Sequence, residues 1–154
     1  MPAIKTKIIP YLLILLTTSI AQAQTVKVVD GDTIHLDGEK IRFSGIDAPE
    51  ISQTCNLEES IVECGVHSKE ILINKIANKP IECIAEGKDR YNRILAECFV
   101  ENISLSDFLV REGYAFAYRQ YSKKFIPAEE EARASKKGMW SMQFIFPWDF
   151  RKLN

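Results

Sequence analysis

Acidic residues and one arginine are concentrated between residues 30 and 50. Five of the charged residues in this range form the densest group, Asp30, Asp32, Arg42, Asp47 and Glu50. Carboxylate oxygens are hard ligands, and a group of them without cysteine or histidine ligands suits Ca²⁺ rather than zinc. An arginine next to such acids forms a salt bridge or presents a planar fork to a phosphate group. The segment therefore predicts a calcium site with a phosphate-binding arginine beside it.

The segment does not have the pattern of an EF-hand loop. That loop needs an oxygen ligand at its fifth position and glycine at its sixth, whereas Ile34 and His35 occupy those places after Asp30. A plainer interpretation is that each acid only forms a turn or caps a strand end. The position of Arg42, five residues before Asp47 on the strand that leads to it, favours a shared site.

A second basic segment, DRYNR, has Arg90 and Arg93 on either side of Tyr91. Basic residues interleaved with an aromatic ring suit a nucleotide, because the charges face the phosphate while the ring stacks on the base. The alternative is an ordinary turn between two strands. Both interpretations stay open on this segment alone.

The spacing of apolar residues predicts the strands that position these segments. Residues 25–45 alternate apolar and polar positions and predict three antiparallel strands, with Asp37-Gly38 as a hairpin turn that needs positive φ. Two further strands, IECIAEG and RILAECFV, are joined around DRYN. A helix between the third and fourth strands completes the order of an OB-fold. The predicted fold class is α+β, a five-stranded OB-fold β-barrel with three helices.

The three helices are predicted from apolar spacing and from residues that begin or end helices. They span residues 66–77, 104–111 and about 127–137. Ser104 with Asp107 three residues later resembles a capping box, and Pro127 suits a first helical turn. The aromatic tail, FIFPWDFRKLN, is expected to pack back on the domain.

The N-terminal segment has the pattern of a secretory signal peptide. Two lysines precede an apolar stretch at residues 8–20, and the A-x-A sequence Ala21–Ala23 follows it. A retained membrane anchor is the alternative, but the stretch is shorter than the about 20 apolar residues of a span, and Pro10 interrupts it. We expect cleavage of residues 1–23 and a single domain at 24–154. The mature protein would be secreted or periplasmic, without stable membrane association.

Composition and charge are those of one globular domain. The chain is 46% hydrophobic and 27% charged, which excludes collagen-like, disordered and multi-span membrane proteins. Its formal net charge is −1, and cleavage of the signal peptide removes two lysines and no acid. A mildly acidic protein has no global attraction to nucleic acid, so local basic residues and a bound metal must provide it. We expect a monomer.

Four cysteines, Cys55, Cys64, Cys83 and Cys98, would meet an oxidising compartment after export. None belongs to a C-x-x-C pair, so disulfides are favoured over a zinc site. Four cysteines allow three pairings, and spacing alone does not select one. Short loops favour Cys55 with Cys64 and Cys83 with Cys98.

Five segments together resemble, in order and spacing, the motifs of the thermonuclease (staphylococcal-nuclease-like) family. They are DGDTIHL, IRFSGIDAPE, DRYNR, LVREGYAFAYRQY and EARASKKGMW. The resemblance runs from about Val26 to Trp140, nearly the whole of the expected mature chain. It implies the same OB-fold barrel with three helices. It also implies a nuclease that hydrolyses phosphodiester bonds of DNA and RNA and leaves 3′-phosphate products.

A metal site is implied by the same resemblance. Asp32 and Asp47 are similar to the family's calcium carboxylates, and the backbone carbonyl of Ala48 would be a further ligand. The family's prototype has threonine at that position, but a main-chain ligand does not depend on the side chain. Ca²⁺ is therefore the implied cofactor and nucleic acid the implied partner.

Catalytic and substrate-binding roles follow from the resemblance as well. Arg42 and Arg93 resemble the phosphate-binding pair, and Glu50 resembles the residue that positions or deprotonates the attacking water. The implied substrate-binding residues are Arg90, Tyr91, Tyr118 and Tyr121. Arg90 replaces a lysine of the prototype and Asn92 a glycine. The two stacking tyrosines are three positions apart instead of two.

Two other functions agree with parts of this pattern. A non-catalytic nucleic-acid-binding module of the same fold would not need Glu50 and both phosphate-binding arginines. A calcium-binding structural protein would explain the acids but not Arg42, Arg93 or DRYNR. We therefore expect an exported calcium-dependent nuclease.

Overall fold

The computed structural model describes residues 23–153. Its strands are β1 (Val26–Val28), β2 (Thr33–Leu36), β3 (Glu39–Phe43), β4 (Ile46–Asp47), β5 (Cys55–Leu57), β6 (Ser60–Val62), β7 (Glu82–Lys88), β8 (Ile94–Val100), β9 (Ile103–Ser104) and β10 (Phe116–Ala117). Its helices are α1 (Cys64–Ile76), α2 (Leu105–Arg111), α3 (Ile126–Ala134) and α4 (Pro147–Leu153), with a 3₁₀ helix at Gly138–Ser141. The predicted signal peptide, apart from Ala23, lies outside the described residues.

The largest sheet contains the strands that the alternating pattern predicts. Its order is β1-β2-β3-β8-β7, and β9 pairs with β8. Neighbouring strands are antiparallel except β3 and β8, which are parallel. Asp37 and Gly38, between β2 and β3, both have positive φ, as the hairpin turn predicts.

The predicted α+β class is confirmed, but the five-stranded barrel with three helices is not, because the sheet is open and residues 23–153 contain four α-helices. The predicted strands correspond to β1, β2, β3, β7 and β8, and α1 lies between the third and fourth of them, as expected. Within residues 23–153, however, β1 and β7 end the sheet without pairing with each other. Short pairs, β4 with β10 and β5 with β6, form separate sheets. Alternation along one strand specifies its faces but not its distant partner, so the pattern could not decide closure.

The segment between the first two cysteines is a small hairpin, β5 with β6, rather than an open loop. Cys55 at the start of β5 is bonded to Cys64, the first residue of α1. Cys83 is bonded to Cys98 across β7 and β8, where the two residues are directly opposite. Both disulfides have the predicted pairing.

The predicted helices are present with shifted ends. The Ser104 side chain accepts a hydrogen bond from the Asp107 N–H, so the predicted cap of α2 is confirmed. α1 begins at Cys64, two residues before the predicted start, and α3 ends at Ala134, before the predicted end. None of the helices in residues 23–153 is both long and apolar enough to cross a membrane.

The aromatic tail packs back on the domain, as predicted, and builds a second apolar cluster. Phe116 and Met139 are fully buried there, and the rings around them are Trp140, Phe144, Phe146 and Trp148. The tail ends in α4, which the sequence did not predict. Seven residues give too few apolar repeats for a clear helical period, and α4, unlike α2 of the same length, has no serine or aspartate directly before it to mark its start.

Candidate active site

Two buried carboxylates, Asp32 and Asp47, lie beside β3. Asp32 precedes β2 and is 3% exposed, while Asp47 ends β4 and is fully buried. Asp47 is held in position by β10, where it is opposite Phe116. Asp32 is held by the Ala48 N–H, which donates to its Oδ2 at 2.7 Å. The short β4–β10 pair and this hydrogen bond together bring the two acids close to each other.

Arg42 on β3 bridges the two carboxylates. Its neighbours Ile41 and Phe43 are buried in the core, so strand alternation turns Arg42 towards the opposite face. Its Nη1 contacts the Asp32 carboxylate, and its Nη2 donates to Asp47 Oδ1 at 2.8 Å. Burial alone would lower the pKa of Arg42, but the charges of the two acids outweigh it and raise that pKa above its ordinary value. Arg42 is therefore always charged.

Burial has the opposite effect on the acids. It raises the pKa of Asp47, although a hydrogen bond from Arg151 opposes this rise. Burial, followed by the negative charge of Asp32, raises the pKa of Asp30 to about 6. Asp30 accepts a hydrogen bond from the Asp32 N–H at 3.0 Å. The negative charge of Asp32 contributes to both shifts, because a neighbouring like charge disfavours the ionised form.

The second basic segment is the turn between β7 and β8. Asp89 accepts hydrogen bonds from the N–H groups of Tyr91 and Arg93, at 2.9 and 3.0 Å, and from Arg93 Nε at 2.7 Å. Burial alone would raise the pKa of Asp89, but these donors lower it below its ordinary value. Asn92 has a φ of 60°, a left-handed geometry that asparagine tolerates. The guanidinium groups of Arg90 and Arg93 lie over the Tyr91 ring, 4.8 and 5.5 Å from its centroid.

One cleft of about 1070 Å³ connects the two segments. The predicted site residues on its wall are Asp32, Arg42, Ala48, Glu50, Arg90, Tyr91, Arg93, Tyr118 and Tyr121. The parallel pairing of β3 with β8 explains the convergence, because Arg42 is opposite Leu95, two residues after Arg93. Asp47 is buried behind Arg42 and does not line the cleft. The structure thus brings the predicted catalytic and substrate-binding residues together.

The two tyrosines predicted to stack on bases contact each other edge to face, with ring centroids 4.8 Å apart. Tyr118 also stacks on Trp148, with centroids 5.6 Å apart and planes 8° from parallel. One face of Tyr118 is therefore covered by protein. Tyr121 is 71% exposed. Tyr121 and the free parts of Tyr118 are accessible from the cleft.

Glu50 lies at the rim of the cleft with its side chain 38% exposed. Its Oε1 accepts a hydrogen bond from Arg151 Nη1 at 2.7 Å. Sequence reasoning missed Arg151, because this residue lies 104 positions from Asp47, its other partner. The available signal was Pro147, which is typical of a first helical turn, followed one turn later by a basic residue.

The residues around Arg42 fit calcium by their chemistry. One guanidinium contacts both Asp32 and Asp47, so the two carboxylates lie on the same cationic group. The hydrogen bond from the Ala48 N–H to Asp32 places the Ala48 backbone beside them. Across residues 23–153, no three His, Cys, Asp or Glu side chains are arranged as a metal site. Two carboxylates, a backbone carbonyl and water or substrate oxygens would therefore form the shell, and Ca²⁺ accepts such mixed oxygen sets.

The sequence of the chain is similar to one family model and to several known proteins. The family model described as "Staphylococcal nuclease homologue" matches residues 40–142. The chain is 34% identical over 125 residues to an "Uncharacterized endonuclease" of Haemophilus influenzae, covering 77% of this chain and 65% of that protein. An "Uncharacterized endonuclease" of Escherichia coli is 34% identical over 136 residues, with 83% of each chain covered. The "Probable staphylococcal-like nuclease CAN2" of Oryza sativa is 28% identical over 116 residues, covering 73% of this chain and 29% of that protein. The chain thus spans less than two thirds of the Haemophilus protein.

Proposed function

The chain belongs to the staphylococcal nuclease homologue family, the thermonucleases, and from this premise we propose that it is an exported, calcium-dependent nuclease. It hydrolyses phosphodiester bonds of DNA and RNA and leaves 3′-phosphate products. One observation carries the proposal: Arg42, Arg93 and Glu50 line a single cleft. Two acids that suit a divalent cation lie on and directly behind its wall. Cationic and anionic groups in this arrangement suit a phosphate together with a metal ion.

The two arginines stabilise the charge of the transition state. An attacked phosphodiester gains negative charge on its equatorial oxygens, and a guanidinium binds two such oxygens through its fork. Arg42 is held by its ion pairs with Asp32 and Asp47 before substrate arrives. Arg93 is held by Asp89 at 2.7 Å. Donors that are already fixed need no reorganisation during the reaction.

Glu50 takes the proton of the attacking water. Its carboxylate is partly exposed at the cleft rim, where water reaches it, whereas the Asp47 carboxylate is fully buried. The water oxygen forms a bond to phosphorus as its proton passes to Glu50, and the bond from phosphorus to the 5′-oxygen breaks. The leaving 5′-oxygen takes a proton from solvent water, and Glu50 returns its proton to solvent. Asp32, Asp47 and the Ala48 carbonyl would hold the calcium ion, which would supply a Lewis acid that neutralises phosphate charge.

Aromatic residues hold the nucleotide beside this centre. Tyr91 is exposed on the same cleft with the guanidinium groups of Arg90 and Arg93 near its ring, and Tyr121 also presents an exposed ring. Every base has a π-face, so stacking on such rings tolerates many sequences. DNA and RNA are therefore both proposed as substrates.

Export is part of the proposal and has its own test. The two disulfides support it, because disulfides form and persist in oxidising compartments. N-terminal sequencing of the protein recovered from the periplasm or medium should begin at Gln24. Recovery of the protein with its N-terminal residues intact in the membrane fraction would contradict both cleavage and the absence of stable membrane association. Sedimentation of the same sample tests the expected monomer.

The activity is tested by incubating the mature protein with single-stranded DNA, double-stranded DNA and RNA, each with calcium or with a chelator. We expect cleavage with calcium only, and 3′-phosphate ends on the products. The matched control is Arg42→Gln, which removes a phosphate-binding charge from the cleft. Binding of nucleic acid without any cleavage would support the non-catalytic module instead.

A further inference from the structure

The C-terminal helix α4 adds an arginine to the cleft. The family match ends at residue 142, whereas α4 spans Pro147–Leu153. Arg151 from this helix lines the same cleft as Arg42 and Glu50. None of the roles derived above uses this residue.

Arg151 contacts Asp47, a proposed metal ligand, and Glu50, the proposed general base, at the same time. Its Nη2 donates to Asp47 Oδ2 at 2.8 Å, and its Nη1 is 3.1 Å from Asp47 Oδ1. The same Nη1 donates to Glu50 Oε1 at 2.7 Å. The planar guanidinium is thus aligned on the Asp47 carboxylate in a two-pronged arrangement and extends one donor to Glu50.

In this group of three side chains, Asp47 is buried, whereas Arg151 and Glu50 are partly exposed. Ion pairs between exposed side chains contribute little to stability, and Arg151 is 40% exposed. Asp47, however, is fully buried, and removing one partner of a buried charge is costly. Burial alone would lower the pKa of Arg151, but its hydrogen bonds with Asp47 and Glu50 outweigh it and raise that pKa above its ordinary value. Asp47 therefore fixes Arg151, and Arg151 in turn holds Glu50, which is more exposed than Asp47.

Helix α4 is itself firmly attached to the domain. Trp148, three residues before Arg151, stacks on Tyr118 and on Phe146, with centroid separations of 5.6 and 4.5 Å. The Gln53 side chain, which is 1% exposed, donates to the Ile145 carbonyl at 2.6 Å. Arg151 thus projects from a packed element rather than from a loose tail.

We propose that Arg151 is a positioning residue that holds the Glu50 carboxylate in the orientation needed to accept a proton from the attacking water. A glutamate at a solvent-exposed rim samples several rotamers, and ordering it at each turnover costs free energy. Prior orientation by Arg151 removes that cost. The inference rests on the proposed role of Glu50 as the general base.

A double-mutant cycle tests whether Arg151 acts through Glu50. Arg151→Gln should lower kcat about 10- to 100-fold, the range expected from misplacing a catalytic group, with KM and inhibitor-nucleotide affinity within about twofold of wild type. In a Glu50→Gln background, the same change should have no further effect. Lys152→Gln is the matched control. It removes an equal charge from the same helix, and Lys152 pairs with Asp149 rather than with Asp47 or Glu50.

Arg151→Lys separates an effect on kcat from a loss of folding. Lysine keeps the charge next to Asp47 but lacks the fork needed to reach both acids. We expect it to restore the unfolding midpoint to near wild type while kcat stays reduced. Recovery of both together would contradict the geometric role. Equal losses from Arg151→Gln with and without Glu50 would do so as well, and a fall in nucleotide affinity would indicate that Arg151 binds phosphate directly.

A further measurement does not depend on activity. The guanidinium N–H signals of Arg151 in ¹⁵N-edited NMR spectra should show restricted rotation in the wild type, and the Glu50 side chain should gain rotamer averaging in Arg151→Gln but not in Lys152→Gln. Free rotation in the wild type would overturn the inference even if cleavage is normal. Restricted rotation in a protein that cleaves no nucleic acid would instead refute the proposed function and leave the contact itself established.

Discussion

Tyr118 and Trp148 stack face to face, with ring centroids 5.6 Å apart and planes 8° from parallel. This contact joins the cleft to helix α4, because Tyr118 lines the cleft and Trp148 belongs to the helix. It also explains why α4 is ordered despite its length of seven residues. Short helices are marginal in water, so most of their stability comes from tertiary packing.

Trp148→Ala should lower the free energy of unfolding by about 3 kcal/mol, the low end for loss of a large aromatic side chain that is only half-buried. The ring loses its stacking on Tyr118 and Phe146 and its edge contact with Phe116. Urea denaturation provides the measurement. Trp148→Phe keeps a ring in the stack and should lose less than half as much. Equal losses for the two variants would show that stacking does not stabilise α4.

Glu50→Gln should reduce kcat by about 10² to 10⁴-fold, the usual contribution of a positioned general base. The amide keeps the size and hydrogen bonding of the side chain but removes the basic oxygen, so calcium and inhibitor-nucleotide affinities should be nearly unchanged. Turnover and both affinities are measured on one preparation. Glu59→Gln removes the same charge from the exposed β5–β6 hairpin and serves as the control. Activity of Glu50→Gln within a few fold of wild type would mean that Glu50 only shapes the chain after Pro49.

Cleavage should require Ca²⁺, with Mg²⁺ a poor substitute. Mg²⁺ demands near-octahedral geometry at about 2.0–2.1 Å, whereas Ca²⁺ accepts flexible oxygen sets. Asp32 and Asp47 are already fixed by Arg42, so they cannot easily contract around a smaller ion. Initial rates are compared after chelation and replacement with each ion. Equal turnover with Mg²⁺ alone would contradict this prediction.

Loss of the Cys83–Cys98 disulfide should lower the free energy of unfolding by about 3 kcal/mol in the chain-entropy model. The bond closes a separation of 15 residues and crosses the two strands that lead to the Arg93 turn. Thermal and urea unfolding of Cys83→Ala/Cys98→Ala give the value. The paired removal of Cys55 and Cys64, separated by 9 residues, should cost slightly less. A negligible loss for both pairs would show that neither constrains the unfolded chain.

Asp30→Asn should stabilise the calcium-free protein at neutral pH. Burial, followed by the charge of Asp32, raises the pKa of Asp30 from 3.8 to about 6, so the folded state binds a proton that the unfolded state has released between these values. The wild type therefore loses stability as pH rises through about 6, and asparagine avoids this loss. The expected gain at pH 8 is about 1–3 kcal/mol, and it should vanish below pH 3.8. Urea denaturation in chelator at both pH values is the test, and an equal gain at both would disprove the electrostatic cause.

Local features were predictable because their causes lie within a few residues. The Asp37-Gly38 turn needs two residues with positive φ, and Ser104 caps α2 through an N–H three residues away. The pairing of Cys83 with Cys98 follows from two adjacent strands joined by a short turn. The strand ends around Arg42 and Arg93 were also visible as alternation broken by turn residues.

Features that depend on distant packing were not predictable in this way. Strands of two residues, such as β4 and β10, carry no alternation, yet their pairing buries Asp47. Closure of the sheet depends on partners that a single strand pattern does not name. The seven-residue helix α4 similarly had no readable period, although its Trp148 packs against Tyr118.

The chemical types present in the cleft, carboxylates for a cation and guanidinium groups for a phosphate, were determined by the sequence itself. The spacing that these residues share with the family assigns Asp32, Arg42 and Glu50 to one site from the sequence alone. Only the tertiary structure decided that Arg151, 104 residues from Asp47, completes this site. The reason is that the aromatic tail folds back to bury its rings. The hydrophobic effect is not directional, so the sequence alone does not specify the surface against which the tail packs.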